Sequence, residues 1–142
     1  MSTDAFEDIV ESFELFDDWE DRYRYVIDLG KELPGLDEAR KSNATKVEGC
    51  ASQVWLVPEL KREDGQDRLY FEGDSDAMIV RGLIAVLIAM VSGQAVTAIR
   101  DLNIREELAR LKLDQALSAQ RSNGLRAMVT RIEDIAGASA TT

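Results

Sequence analysis

The 142-residue sequence contains no histidine and a single cysteine, Cys50. Without histidine, Ser-His-Asp and Cys-His nucleophilic catalysis are excluded. Zinc sites that use imidazole, structural or catalytic, are excluded as well. One thiol cannot close an internal disulfide, and it cannot supply the several thiolates that hold an iron–sulfur cluster. Basic charge is also scarce. Lys and Arg number 17 against 27 Asp and Glu, a net charge of −10. That balance argues against nucleic acid or a membrane surface as a partner, because both need a positive footprint. Long apolar runs are missing. The longest, Leu83 to Val91, falls far short of the roughly 20 residues that span a bilayer. Residues Met1 to Asp8 show neither the basic start nor the apolar core of a signal peptide. A lone free thiol fits a reducing compartment, so a cytoplasmic location is expected.

What is present reads as one domain over residues 1–142, since domains commonly run about 100–200 residues. Hydrophobic residues make up 45%, too rich for a disordered chain. No internal repeat and no linker divides it, and the ends, 1–3 and 137–142, are expected to fray. Charge is concentrated at one end. Residues 1–30 hold ten acids and two bases, net −8, which leaves −2 for the other 112. This is either a solvated face or a surface that steers a basic partner.

Phe6, Ile9, Val10 and Phe13 have helical spacing. Asp17 or Asp18 is placed to cap a second helix carrying Trp19, Tyr23, Val26 and Ile27. Gly30 is the expected stop, with Leu33-Pro34-Gly35 confirming the break. Val47 to Val57 is rich in Val, Trp and Leu with polar residues interspersed and leads into an antiparallel hairpin, with Pro58 at an edge or bulge. Glu63-Asp64-Gly65-Gln66 is a turn and Arg68 to Glu72 the returning strand, with a further short strand near 42–48. Ser75-Asp76 can cap the next helix, Met78 to Val91, which is apolar almost all round and therefore central to the core. Short helical pieces follow with Ile99, Leu102, Ile104, Leu108 and Leu111. A last helix starts near Ser122-Asn123, striped by Leu125, Met128, Val129, Ile132 and Ile135. These elements predict an α+β fold: a small antiparallel sheet of about three strands packed against several helices.

Cys50 is the one strong nucleophile candidate. Free cysteines are commonly small core hydrophobes. Here Gly49, Ala51 and Ser52 around it point to a tight loop entering a strand, where a thiol can be presented to a partner. Lys46, four residues away, favours the thiolate if the loop folds it back. One thiol without an accompanying base or second cysteine can still attack a sulfur bound to another protein's cysteine. It then carries that sulfur away as a persulfide.

The stretch Val47-Glu48-Gly49-Cys50-Ala51-Ser52-Gln53-Val54-Trp55-Leu56 resembles the signature of the SufE/CsdE sulfur-acceptor proteins. Three further regions are similar to that family. They are Trp19 to Tyr25 with Leu29-Gly30 and Leu33-Pro34, Ser75-Asp76-Ala77 leading to Gly82-Leu83-Ile84-Ala85, and Leu117-Ser118 with Arg121-Ser122-Asn123-Gly124-Leu125 and Met128. Ala51 departs from the family, which favours Gln there.

The resemblance implies a fold shared with the U-type scaffold proteins, whose cluster-binding cysteines this chain lacks. It implies a carrier rather than an enzyme with its own turnover. Such a carrier accepts persulfide sulfur from a SufS/CsdA-type cysteine desulfurase, stimulates it, and passes sulfur to a downstream iron–sulfur scaffold complex. The chain itself needs no cofactor or metal, since pyridoxal phosphate belongs to the desulfurase. Residue by residue, the resemblance makes Cys50 the persulfide acceptor and Gly49 the loop hinge, with Ala51 and Ser52 completing the loop. Arg121 either lies beside the thiol or partner, stabilising an anionic sulfur, or packs over the start of the last helix. Asp74, a candidate partner or thiol-loop contact, and Asp76 are turn or cap residues near the docking face. Asn123 reads as a helix cap, and Trp55 as sheet packing or a wall of the thiol pocket. Two other readings stand beside this one: a non-catalytic acidic interaction module with a structural Cys50, and a thiol redox sensor.

Overall fold

The computed structural model describes residues 3–139. Helices α1 (Asp4–Leu15) and α2 (Trp19–Lys31) come first, then strands β1 (Val54–Glu63) and β2 (Gln66–Ser75). Helix α3 (Met78–Val91), the two-residue β3 (Gln94–Ala95), α4 (Val96–Asp101), α5 (Ile104–Ala109) and α6 (Ala119–Ser139) complete the order. Single 3-10 turns lie at Glu38–Arg40 and Leu113–Gln115. The fold is α+β, as the sequence predicts, with one antiparallel sheet in the order β1-β2-β3.

Capping side chains set the first two helices. The Thr3 hydroxyl accepts from Phe6 N at 3.1 Å, so Thr3 caps α1. Asp18 caps α2 by accepting from Asp21 N at 2.9 Å. Phe6, Ile9, Val10 and Phe13 of α1 are all buried. Gly30 does not stop α2, which continues to Lys31 and is capped at Glu32. Its role is close approach. A methyl on Gly30 would lie 2.6 Å from Gly82 N, and one on Gly82 would lie 2.2 Å from Val26 O. The backbones of α2 and α3 touch at this pair of glycines.

The sheet departs from expectation at its start. Residues 47–53 are not strand, and β1 begins only at Val54. Val47 N donates to Val54 O at 2.8 Å and Leu56 N to Thr45 O at 2.9 Å. These two bonds pin the base of a loop over residues 47–53. Where a strand near 42–48 was expected there is one isolated bridge, Lys46 to Trp55. The third strand is β3 instead, paired with Arg68 and Leu69 of β2. Pro58 sits inside β1, which is an edge strand and tolerates a missing N–H. The turn residues Asp64 and Gly65 both have positive φ, 52° and 77°, the conformation that a two-residue hairpin demands.

Helix α3 is the centre of the molecule. Ile84, Val86, Leu87, Met90 and Val91 have no exposed surface, and the helix packs against α1, α2, β2 and α6. Neither Ser75 nor Asp76 caps it, since the residue at its N-cap is Ala77, without a side-chain capping bond. Ser75 Oγ accepts from Ala77 N at 3.2 Å, just ahead of the helix, while Asp76 turns to the loop described below. Helix α6 starts three residues earlier than Ser122, at Ala119, because Ser118 Oγ accepts from Arg121 N at 3.2 Å. Asn123 is therefore inside the helix, bonded to Arg126 Nη1 at 2.8 Å, and caps nothing. Helix α6 runs on to Ser139 and so includes 137–139, while residues 1–2 and 140–142, also expected to fray, lie outside the described residues. Among the described residues, no helix is long and apolar enough to cross a membrane.

Candidate functional site

Cys50 lies at the tip of the loop between the Lys46 bridge and β1. Gly49 holds φ at +91°, a left-handed value that a side chain would strain. Glu48, Gly49, Ala51 and Gln53 are exposed, while Cys50 and Ser52 are half-buried. The loop thus shows its backbone to solvent and turns its thiol inward. Cys50 Sγ donates to Gly124 O of α6 at 3.5 Å. A two-way clamp holds the far side of the loop. Gln53 N donates to Asp76 Oδ1 at 3.0 Å, and Asp76 N donates to Gln53 O at 3.4 Å. Asp76 thereby ties the thiol loop to the start of α3.

Beneath the loop is a cavity of about 20 Å³, room for about one water-sized group. Val80 and Leu83 of α3, Gln120, Arg121, Gly124 and Met128 of α6, and the loop itself line it. Val80, Leu83 and Met128 are at most 6% exposed, so the inner wall is apolar. Burial pushes the Cys50 thiol up from its ordinary pKa of 9.0, and the nearby Glu48 carboxylate adds to the effect. The resting thiol is therefore neutral at pH 7. Help from Lys46 is not found. Its carbonyl accepts from Arg131 Nη1 at 3.2 Å, and the charge acting on the thiol is that of Glu48.

Arg121 comes to the cavity wall from the first turn of α6. Its Nη1 is sealed from solvent and has no hydrogen-bond partner among the described residues. A guanidinium nitrogen left without any acceptor is costly. Trp55 does not line the cavity. It faces Lys41, whose Nζ lies 5.0 Å above the ring.

Asp74 is placed elsewhere. It is buried in β2 and accepts from Leu36 N at 3.1 Å and Ser75 N at 2.8 Å. Arg81 Nε lies at 3.3 Å and Lys41 Nζ at 3.4 Å from its carboxylate. Burial alone would raise the Asp74 carboxyl, but the two N–H groups and the two cations together hold it below the usual range. It anchors the segment after α2 to the sheet, and the loop contact expected at Asp74 is made by Asp76. The acids of α1 and α2 are exposed, apart from half-buried Glu7 and Asp21. A larger groove of about 240 Å³ lies between α5 and α6. It contains no thiol. Its two arginines are engaged, Arg105 by Glu133 and Thr130 and Arg126 by Asn123.

Local sequence pattern missed Asp76 as the loop clamp, Gly124 as the acceptor, and Val80, Leu83 and Gln120 as walls. One signal was available: residues 121, 124 and 128 share a face of a helix.

The chain that carries this solitary thiol, on a loop held by the Asp76 carboxylate and the Gly124 carbonyl, has recognisable relatives. The SufE family, described as an Fe-S metabolism associated domain, matches residues 7–136. An uncharacterized SufE-like protein of Rhizobium etli is 49% identical over 130 residues, covering 92% of this chain and 88% of that one. Another, from Rhizobium meliloti, is 45% identical over 129 residues, covering 91% and 92%. A solution structure of a hypothetical protein from Thermus thermophilus superposes with a TM-score of 0.75 over all of both chains, at 18% identity, a likeness of fold. The chain belongs to the SufE family and carries a domain associated with iron–sulfur metabolism.

Proposed function

We propose that this protein is a sulfur acceptor and carrier. Cys50 takes sulfane sulfur from the persulfide of a SufS/CsdA-type cysteine desulfurase, stimulates that enzyme, and delivers the sulfur to iron–sulfur cluster assembly. The observation that carries the reading is the placement of the chain's only thiol, at the tip of a surface loop and folded over a cavity. A core cysteine in a strand or helix has no such way out.

The chemistry needs little from the chain. When the loop lifts, the sulfur leaves the cavity, the pKa penalty of burial is relieved, and the thiolate becomes accessible. The Cys50 thiolate attacks the terminal sulfur of the partner's Cys–S–SH. A new S–S bond forms to Cys50 Sγ, the partner's S–S bond breaks, and the electron pair leaves on the partner's thiolate. No oxidant or reductant enters, and no turnover belongs to this chain alone. Family membership supports the iron–sulfur context. Gly49, Ala51 and Ser52 supply the small, bendable loop. When the loop closes again the loaded sulfur is shielded from stray thiols and oxidants.

Cys50→Ser keeps the size of the side chain and removes the nucleophile. We expect it to fold normally and to leave the turnover of a cognate desulfurase at its unstimulated level, while wild type raises it. Equal stimulation by both proteins would refute the carrier role. Failure of wild type to stimulate, with Cys50 unreactive toward alkylation, would favour an interaction module with a structural thiol.

A further inference from the structure

We propose that the groove beside α2 is a docking site for a basic amphipathic helix of a partner protein, one with apolar anchors on one face and Lys or Arg flanking them. The inference goes beyond the carrier reading and does not rest on it. Trp19, Tyr23 and Ile27 recur at four-residue intervals and so share one face of α2. Together with Gln115 and Ala116 they line a groove of about 480 Å³, within the roughly 300–1,000 Å³ of ordinary binding clefts. Tyr23 is 38% exposed, and Trp19 and Ile27 are half-buried. Helix α2 thus buries Val26 and Gly30 and leaves a second, largely apolar stripe open. The stripe is preformed. Trp19 packs edge-on against Phe13 at 6.2 Å. The Arg22 guanidinium lies 5.0 Å from the Trp19 ring while donating to Phe13 O and Phe16 O. Aromatic side chains held in place are the kind that anchor interfaces.

Charge selects the occupant. Residues 1–30 carry ten acids against two bases, net −8. Glu20 lines the groove itself, and Asp17, Asp18, Glu20 and Asp28 are all exposed around the stripe. The cations of α2 already have partners. Arg22 is bonded as above, Arg24 lies 3.7 Å from Glu20 and 3.6 Å from Asp21, and Lys31 lies 3.7 Å from Asp28. An apolar stripe in excess negative charge is complementary to apolar anchors flanked by Lys and Arg. Trp19 to Ile27 spans about 12 Å of helix, length enough for a partner helix to seat anchors at i and i+4 or i+7. A second copy of this chain is disfavoured by its own net charge of −10. The groove also adjoins the thiol site. Its Trp19, Tyr23 and Ala116 share a small crevice with Leu83, and Leu83 lines the Cys50 cavity.

The isotope-labelled full chain is titrated with three synthetic peptides of about 15 residues, a length at which an amphipathic helix can form. One is a Leu/Lys amphipathic helix, one a scrambled peptide of the same composition, and one has Glu in place of Lys. Amide shifts and the Trp19 indole N–H report the site. We expect the basic helix to shift Trp19, Tyr23, Ile27 and Ala116 and to bind about tenfold more tightly than the scrambled peptide, with no binding of the acidic one. Tyr23→Ala, at an exposed position, should weaken binding about tenfold. Glu20→Lys should weaken it about threefold to tenfold at low salt and less at high salt. Cys50→Ser leaves the groove intact and should bind like wild type, so a failure of sulfur transfer leaves this surface standing. Equal binding of the basic and scrambled peptides, or shifts spread over the acids of α1, would reduce the surface to unspecific attraction and overturn the inference. Absence of binding, a preference for the acidic peptide, or unchanged binding in both variants would overturn it too. So would Tyr23-dependent dimerisation in sedimentation, which makes the occupant a second copy.

Discussion

Cys50 combines two properties that ordinarily conflict, a surface backbone and a secluded sulfur. The resolution lies in the neighbours. Gly49 gives the left-handed turn that points the side chain inward, Gly124 leaves room and offers a carbonyl, and Asp76 holds the loop's other limb. Asp76 and Gln53 are exposed, so water replaces the lost bond in Asp76→Ala and the loop opens more often. We expect the Cys50 alkylation rate at neutral pH to rise about threefold to tenfold in Asp76→Ala, with little change in thermal stability. An unchanged rate would show that the clamp does not govern opening. The nucleophile was legible in the sequence because small residues flank the one thiol and because the surrounding motif resembles a family's. Asp76 was not. Its carboxylate accepts from a backbone N–H 23 residues away, and no local pattern encodes a long-range bond of that kind.

At the scale of elements, the site depends on how closely α2 and α3 approach. Helix α3 provides Val80 and Leu83 to the cavity and Asp76 just before its start. Its position is set by the glycine contact with α2. Gly82→Ala forces a methyl to within 2.2 Å of Val26 O, so the helices must part. We expect a loss of roughly 2–3 kcal/mol in urea unfolding. Gly137→Ala, where nothing lies within 4 Å, should be neutral or slightly stabilising. Equal effects of the two substitutions would remove the close-approach account. The helices were legible from apolar spacing and the hairpin from its turn residues. The loop entering a strand was legible from Gly49, Ala51 and Ser52, but where it closes was not, because the bonds of Val47 to Val54 and Thr45 to Leu56 that pin its base join residues across it.

For the molecule as a whole, most of the acids among the first thirty residues lie exposed on the outer faces of α1 and α2 and the turn between them. Most of their ion pairs are exposed and local, such as Arg24 with Glu20 and Asp21, and contribute little to stability. Glu7 reaches Arg110, beside α5, through two bonds of 2.7 and 2.8 Å, and this bidentate pair ties the first helix to the rest of the chain. The α+β class was readable from element types. The partner of β2 was not, because a two-residue strand such as Gln94–Ala95 has no periodicity to read. The central claim concerns sulfur on Cys50, and one measurement addresses it without intermediaries. The chain is incubated with a pyridoxal-phosphate cysteine desulfurase and L-cysteine, and its intact mass is recorded before and after reduction. We predict a gain of one sulfur atom that reductant removes and that Cys50→Ser lacks. No gain in wild type, or the same gain in Cys50→Ser, would contradict the account.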